Sequence, residues 1–82
     1  MQNYPNPFNP VTNFQFSIVN RQLAILKVYD VLGREVATLV NEVKQPGTYT
    51  VQWNASGVAS GLYIYRLMSG GFVETRRMLL IK

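Results

Sequence analysis

Thr48-Tyr49-Thr50-Val51-Gln52-Trp53 reads TYTVQW and alternates without a break. In an extended chain successive side chains point to opposite faces. Tyr49, Val51 and Trp53 therefore share one face, and Thr48, Thr50 and Gln52 the other. β-Branched or aromatic residues fill every place except Gln52, as suits a pleated, half-buried surface. This stretch is a strand, and the segments on either side repeat its logic.

Downstream, Asn54 to Gly61 is a loop of small and polar residues, followed by a strand over Leu62 to Met68. Tyr63, Tyr65 and Leu67 share a face of that strand. Ser69-Gly70-Gly71 makes a short hairpin turn, and Phe72 to Ile81 pairs back as the last strand. Upstream, Pro46-Gly47 closes a loop that begins at Asn41. Glu35 to Val40 reads as a strand, with a helical turn as the alternative. Asp30-Val31-Leu32-Gly33-Arg34 is a turn, with Gly33 at the position that takes positive φ. Leu23 to Tyr29 is a strand with Ala24, Leu26 and Val28 on one face, and Phe14 to Ile18 alternates cleanly. About six or seven short strands at near-regular spacing predict an all-β antiparallel sandwich or barrel. The whole chain, 1–82, reads as one domain without an internal repeat.

The opening segment, Tyr4-Pro5-Asn6-Pro7-Phe8-Asn9-Pro10, cannot be a helix or a central strand, because proline lacks the N–H a ladder needs. Residues 4–10 read as an irregular edge strand that caps the sandwich, tucks Phe8 and Tyr4 into its open end and blocks edge-to-edge association. A stiff segment also serves as a spacer after an upstream domain. The alternative is an exposed polyproline ligand, which here lacks a flanking basic residue.

Composition removes most chemistry. The chain has no cysteine and no histidine, hence no disulfide, no thiolate metal site and no imidazole base. Asp30, Glu35, Glu42 and Glu74 form no metal-type cluster in sequence, and read as surface acids, with Asp30 bracing its turn through Arg34. The glycines between Gly57 and Gly61 precede no helix and no Gly-Lys-Ser, so no phosphate loop is present. The net charge of +4 is spread along the chain, with only Arg76, Arg77 and Lys82 gathered, which does not make a nucleic-acid footprint. No apolar run approaches the ~20 residues that span a bilayer. Neither an enzyme nor a cofactor is expected. Asn54-Ala55-Ser56 matches a glycosylation sequon, though a loop after a strand uses these residues anyway. Tyr49, Trp53, Tyr63 and Tyr65 would suit a sugar-stacking platform only if exposed, and their alternation aims them inward.

The end of the chain is unusual. Met78, Leu79, Leu80 and Ile81 place apolar groups on both faces of a terminal strand. The favoured reading is a central strand covered on both sides, and the other is a face kept for a partner.

Taken in order, YPNPFNP, VYDVLGREVATLV, GTY with VQW, ASGLYIYRL and RRMLLIK resemble the C-terminal sorting domain of the type IX (Por) secretion system, over Tyr4 to Lys82. They are also similar to the immunoglobulin-like domain of flagellar hook-cap proteins. The resemblance implies an immunoglobulin-like β-sandwich at the end of an exported protein, where it is the address for crossing the outer membrane to the cell surface or medium. It implies as partners an upstream cargo domain, the outer-membrane secretion machinery and a sortase-like protease, with the cargo then anchored at the surface. Pro5-Asn6-Pro7 would mark the domain start and Gly61-Leu62-Tyr63 the middle motif. Met78, Leu79, Leu80, Ile81 and Lys82 would be the terminal signal, with Arg76 and Arg77 beside it. Met1 stands three residues before Tyr4, without cargo or export signal ahead, which reads as a piece of a longer secreted chain. A partner edge pairing with residues 72–82 would use main-chain bonds for affinity, with Arg76, Arg77 and Lys82 steering it. Deleting Met78 to Lys82 would then abolish export without unfolding the rest. The alternatives are a structural or adhesive sandwich of the hook-cap kind, and a carbohydrate-binding module.

Overall fold

Seven strands follow from the alternation among the described residues. The computed structural model describes residues 2–5, 7 and 10–81. The strands are β1 (Gln2–Tyr4), β2 (Val11–Ile18), β3 (Gln22–Tyr29), β4 (Glu35–Lys44), β5 (Gly47–Asn54), β6 (Gly61–Ser69) and β7 (Phe72–Leu80). There is no helix among the described residues, and so none long and apolar enough to cross a membrane. Every pairing is antiparallel, in a three-stranded sheet of order β1-β2-β5 and a four-stranded sheet of order β4-β3-β6-β7. The two sheets pack as a sandwich.

Alternation decides what lies between them. Phe14, Phe16 and Ile18 from β2 meet Ala24, Leu26 and Val28 from β3 and Tyr63, Tyr65 and Leu67 from β6, all buried. Phe14 meets Tyr65 edge-on with ring centres 4.8 Å apart, and Trp53 meets Tyr63 in the same way at 5.7 Å. Edge-to-face contact suits the quadrupoles of both rings. Such pairs link sheet to sheet where the strands themselves share no hydrogen bonds.

Local chemistry sets the turns. Gly33 has φ +80° and Gly70 has φ +61°, the left-handed region that side chains avoid. The Asp30 carboxylate accepts the amides of Leu32 (2.9 Å) and Arg34 (3.0 Å) and the Arg34 Nε–H (2.8 Å), closing the turn. Those amides, foremost Arg34's, hold its carboxyl below the usual range against the opposing effect of burial.

Three expectations are corrected. The segment after Val40 is not a loop: β4 runs on to Lys44, with Val43 opposite Leu23, leaving only Gln45 and Pro46 between β4 and β5. The helical alternative for Glu35 to Val40 falls with it. At the other end, Tyr4 is 44% exposed, not tucked into the sandwich, because Asn3 opposite Phe14 is the inward residue of β1 and alternation turns its neighbour Tyr4 outward. The expected docking of Phe8 lies outside the described residues.

Candidate functional site at the terminal strand

The hairpin turn at Gly70-Gly71 fixes the partners of β7. Ser69 lies opposite Phe72, and pairing continues residue by residue to Gly61 opposite Leu80. Tyr63 is thus set against Met78 and Leu62 against Leu79. Gly61-Leu62-Tyr63 and Met78-Leu79-Leu80, distant in sequence, become cross-strand neighbours. Cross-strand neighbours on one face touch directly.

The two faces of this patch differ. Met78 and Leu80 point into the sandwich and are each 1% exposed. Leu79 is 40% exposed, Ile81 49% and Leu62 39%, beside one another on the outer side. β7 is also the edge of its sheet, with β6 as its only strand neighbour among the described residues. The expected central, doubly covered strand is therefore corrected. The terminal strand buries one face and presents the other.

Burial also changes what the terminal residues can be asked to do. Met78 and Leu80 belong to the core cluster, so deleting Met78 to Lys82 removes packing as well as surface. The expectation that the remainder stays folded after that deletion is at odds with this packing.

Charge near the strand is mostly paired locally. The Arg76 guanidinium donates to the Glu74 carboxylate through Nε (3.0 Å) and Nη2 (2.9 Å). Arg77 is exposed on the outer side, opposite Ile64. Lys82 lies outside the described residues.

Tyr63 anchors the middle motif. Its hydroxyl donates to the Ala59 carbonyl (2.6 Å) while the ring packs on Trp53, tying the 55–60 loop to the core. Beside it lies a shallow hollow of about 230 Å³ between the 30–34 turn and the 59–63 segment. Val31 and Leu32 stand at its rim, 63% and 74% exposed. In sequence these two are ordinary members of the Asp30–Arg34 turn. The signal that could have singled them out was two adjacent apolar residues inside a turn, where polar ones serve better.

The opening motif is organised from the other sheet. The Pro5 carbonyl accepts from the Thr12 hydroxyl (3.0 Å) and from Asn3 Nδ2 (3.3 Å), and Asn3 Nδ2 also donates to the Thr12 hydroxyl (3.2 Å). Thr12 pairs with Trp53, which packs on Tyr63, so Pro5 sits at the same end of the sandwich as the patch. Pro5 and Pro7 are exposed, and Asn6 lies outside the described residues.

The remaining candidates have structural roles. Trp53, Tyr63 and Tyr65 are 7%, 6% and 1% exposed, so they offer no sugar platform. The Asn54 side chain accepts the Ser56 amide (3.0 Å), an Asx turn at the strand end. No group of three or more metal-ligating side chains occurs among the described residues. What the patch offers is recognition: exposed apolar side chains set side by side on two paired strands.

A family model described as the secretion system C-terminal sorting domain matches residues 2–82. No curated protein and no solved structure matches the chain.

Proposed function

We propose, since the chain belongs to the secretion system C-terminal sorting domain family, that its address is read on the outer side of β7 together with Gly61-Leu62-Tyr63. As a member of that family it is a sorting signal for type IX secretion. It directs a cargo in the parent chain across the outer membrane to the cell surface or the medium, through the secretion machinery.

The observation that carries the finer reading is the meeting of the middle and terminal motifs. Leu62 on β6 and Leu79 on the edge strand β7 are exposed cross-strand partners. A partner laid on the outer face of β7 would take its contact and its selectivity from Leu79, Ile81 and Leu62. Arg77 would steer an acidic partner, with Lys82 beyond it, and Arg76 would do so only through the face that its bond to Glu74 leaves open. Pro5-Asn6-Pro7 would mark where the domain begins, with Pro5 at the same end as the patch. A sortase-like protease would separate the domain from the cargo, leaving the cargo to be anchored at the surface. The module itself does no chemistry on this reading.

Leu79→Glu with Ile81→Glu tests it without touching the core. The reading expects a folded domain whose cargo stays in the periplasm. Undiminished export of that variant would refute recognition on the outer side of β7.

A further inference from the structure

The outer side of the four-stranded sheet carries more apolar surface than a solvated sheet face ordinarily does. Leu23, Lys27 and Tyr29 of β3 alternate with the buried Ala24, Leu26 and Val28, and so point away from the core. On that side Val43, Leu23 and Val73 are exposed toward the Gly70 turn, and Leu62 and Leu79 at the opposite end. Between these ends Arg66 of β6 lies level with Lys27 of β3 and Thr75 of β7. Its guanidinium stands over the Tyr29 ring, 5.4 Å from the centre, a contact that steadies the fork. Glu35 binds Lys27 at 2.8 Å and cancels its charge. Arg66 has no carboxylate partner among the described residues, and its Nε–H is buried without an acceptor there. A half-buried guanidinium in that state costs free energy that an acceptor from outside would recover.

We propose that Arg66 anchors a docking face for a protein partner, which sets one aspartate or glutamate carboxylate against the guanidinium and apolar side chains against the two ends of the sheet. The proposal rests on the reading of the chain as a sorting domain, since that reading supplies a protein partner, and it extends the recognition surface from β7 across the sheet. Chemistry selects this occupant. The planar fork of an arginine matches a carboxylate with two parallel hydrogen bonds. Apolar contacts around such a pair keep water from it, as they do around the dominant residues of interfaces. A second copy of this face brings no such acid, because the carboxylate it carries, Glu35, is already held by Lys27. An anionic lipid surface is drawn by clusters of about four to eight basic side chains. Arg66 instead sits half-buried between Ile64 and Met68 on the same side of β6, with the charge of Lys27 cancelled beside it.

Binding of the full parent protein to the detergent-solubilised outer-membrane secretion machinery tests this, with Arg66→Gln and Arg66→Lys beside the wild type and Tm as the check on folding. Arg66→Gln should bind at least about tenfold more weakly, the scale of one lost charge-assisted hydrogen bond. Arg66→Lys, which keeps the charge and the aliphatic stem but not the fork, should fall between the two. Wild-type affinity should drop as salt rises, and that of Arg66→Gln should depend on salt less, a difference that a merely structural arginine would not produce. Equal affinity and equal salt dependence of wild type and Arg66→Gln would overturn the proposal. Binding of the wild type to phosphatidylglycerol vesicles that Arg66→Gln abolishes would also overturn it, by making the occupant a lipid surface. A wild-type dimer that Arg66→Gln dissolves would do the same, by making it a second copy. Normal binding by Arg66→Gln, with export lost in the Leu79→Glu and Ile81→Glu double variant, sinks this inference alone. Weakened binding by Arg66→Gln, with export of that double variant undiminished, upholds it and sinks recognition on β7. A wild type that does not bind the machinery at all refutes the sorting reading and this inference together.

Discussion

Leu79 and Leu80 are adjacent leucines with opposite surroundings, and truncating each to alanine should have very different effects. Leu80 is 1% exposed and packs in the core, whereas Leu79 is 40% exposed on the outer face. Leu80→Ala loses the transfer energy of a buried side chain and leaves a cavity, together about 3–5 kcal/mol. Leu79→Ala loses only the covered part of an exposed chain, about 1 kcal/mol. A chain of this length has a total stability of roughly 4–12 kcal/mol. Leu80→Ala therefore removes a quarter of the stability at the very least. At about 4–8 °C per kcal/mol, Tm should fall by at least about 12 °C for Leu80→Ala and by about 4–8 °C for Leu79→Ala. Trp53, 7% exposed and packed on Tyr63, is the fluorescence reporter for the melt. If Leu79→Ala lowered Tm as much as Leu80→Ala, the outward assignment of the terminal strand, and the recognition surface built on it, would be wrong.

Further outcomes follow from the same contacts. Gly70→Ala should cost about 1–2 kcal/mol, since φ of +61° is unfavourable for alanine and the new methyl meets the Gln22 side chain; chemical denaturation measures it. Asp30, whose carboxyl is held below its ordinary value of 3.8, contributes stability that is full above that value and is lost as pH falls through its lower folded value. Tm measured from pH 6 to pH 2 should therefore fall less steeply in Asp30→Asn than in the wild type, and parallel curves would contradict the turn assignment. Trp53 fluorescence should resist acrylamide and ignore added oligosaccharides, because the ring lies between the sheets; strong quenching in the folded protein would contradict that placement.

Where alternation was strong, the sequence was explicit. TYTVQW, LAILKVY and LYIYRL each place their inward residues correctly, because a single period settles which face meets the core. β4 was cut short at Val40 because it is an edge strand. Of its last residues Asn41, Glu42 and Val43 face solvent, and Asn41-Glu42-Val43-Lys44 carries the composition of a loop. Met78 to Ile81 misled in the opposite direction, since apolar groups on both faces imply a covered strand. Only the sheet order, set by pairing between distant segments, shows that β7 is an edge. The meeting of Gly61-Leu62-Tyr63 with Met78-Leu79-Leu80 was within reach. A turn of Gly70-Gly71 forces Leu62 opposite Leu79, and the hairpin and both motifs were already recognised separately. The exposed Val31-Leu32 tip was out of reach, because it depends on how one sheet overhangs the other.

The most direct test of the address is transplantation. Residues 1–82 are fused behind a fluorescent reporter bearing a signal peptide, and expressed in a bacterium with type IX secretion and in a strain lacking that machinery. The account predicts reporter at the cell surface or in the medium only when both domain and machinery are present. A folded fusion that stays in the periplasm of the competent strain would contradict it.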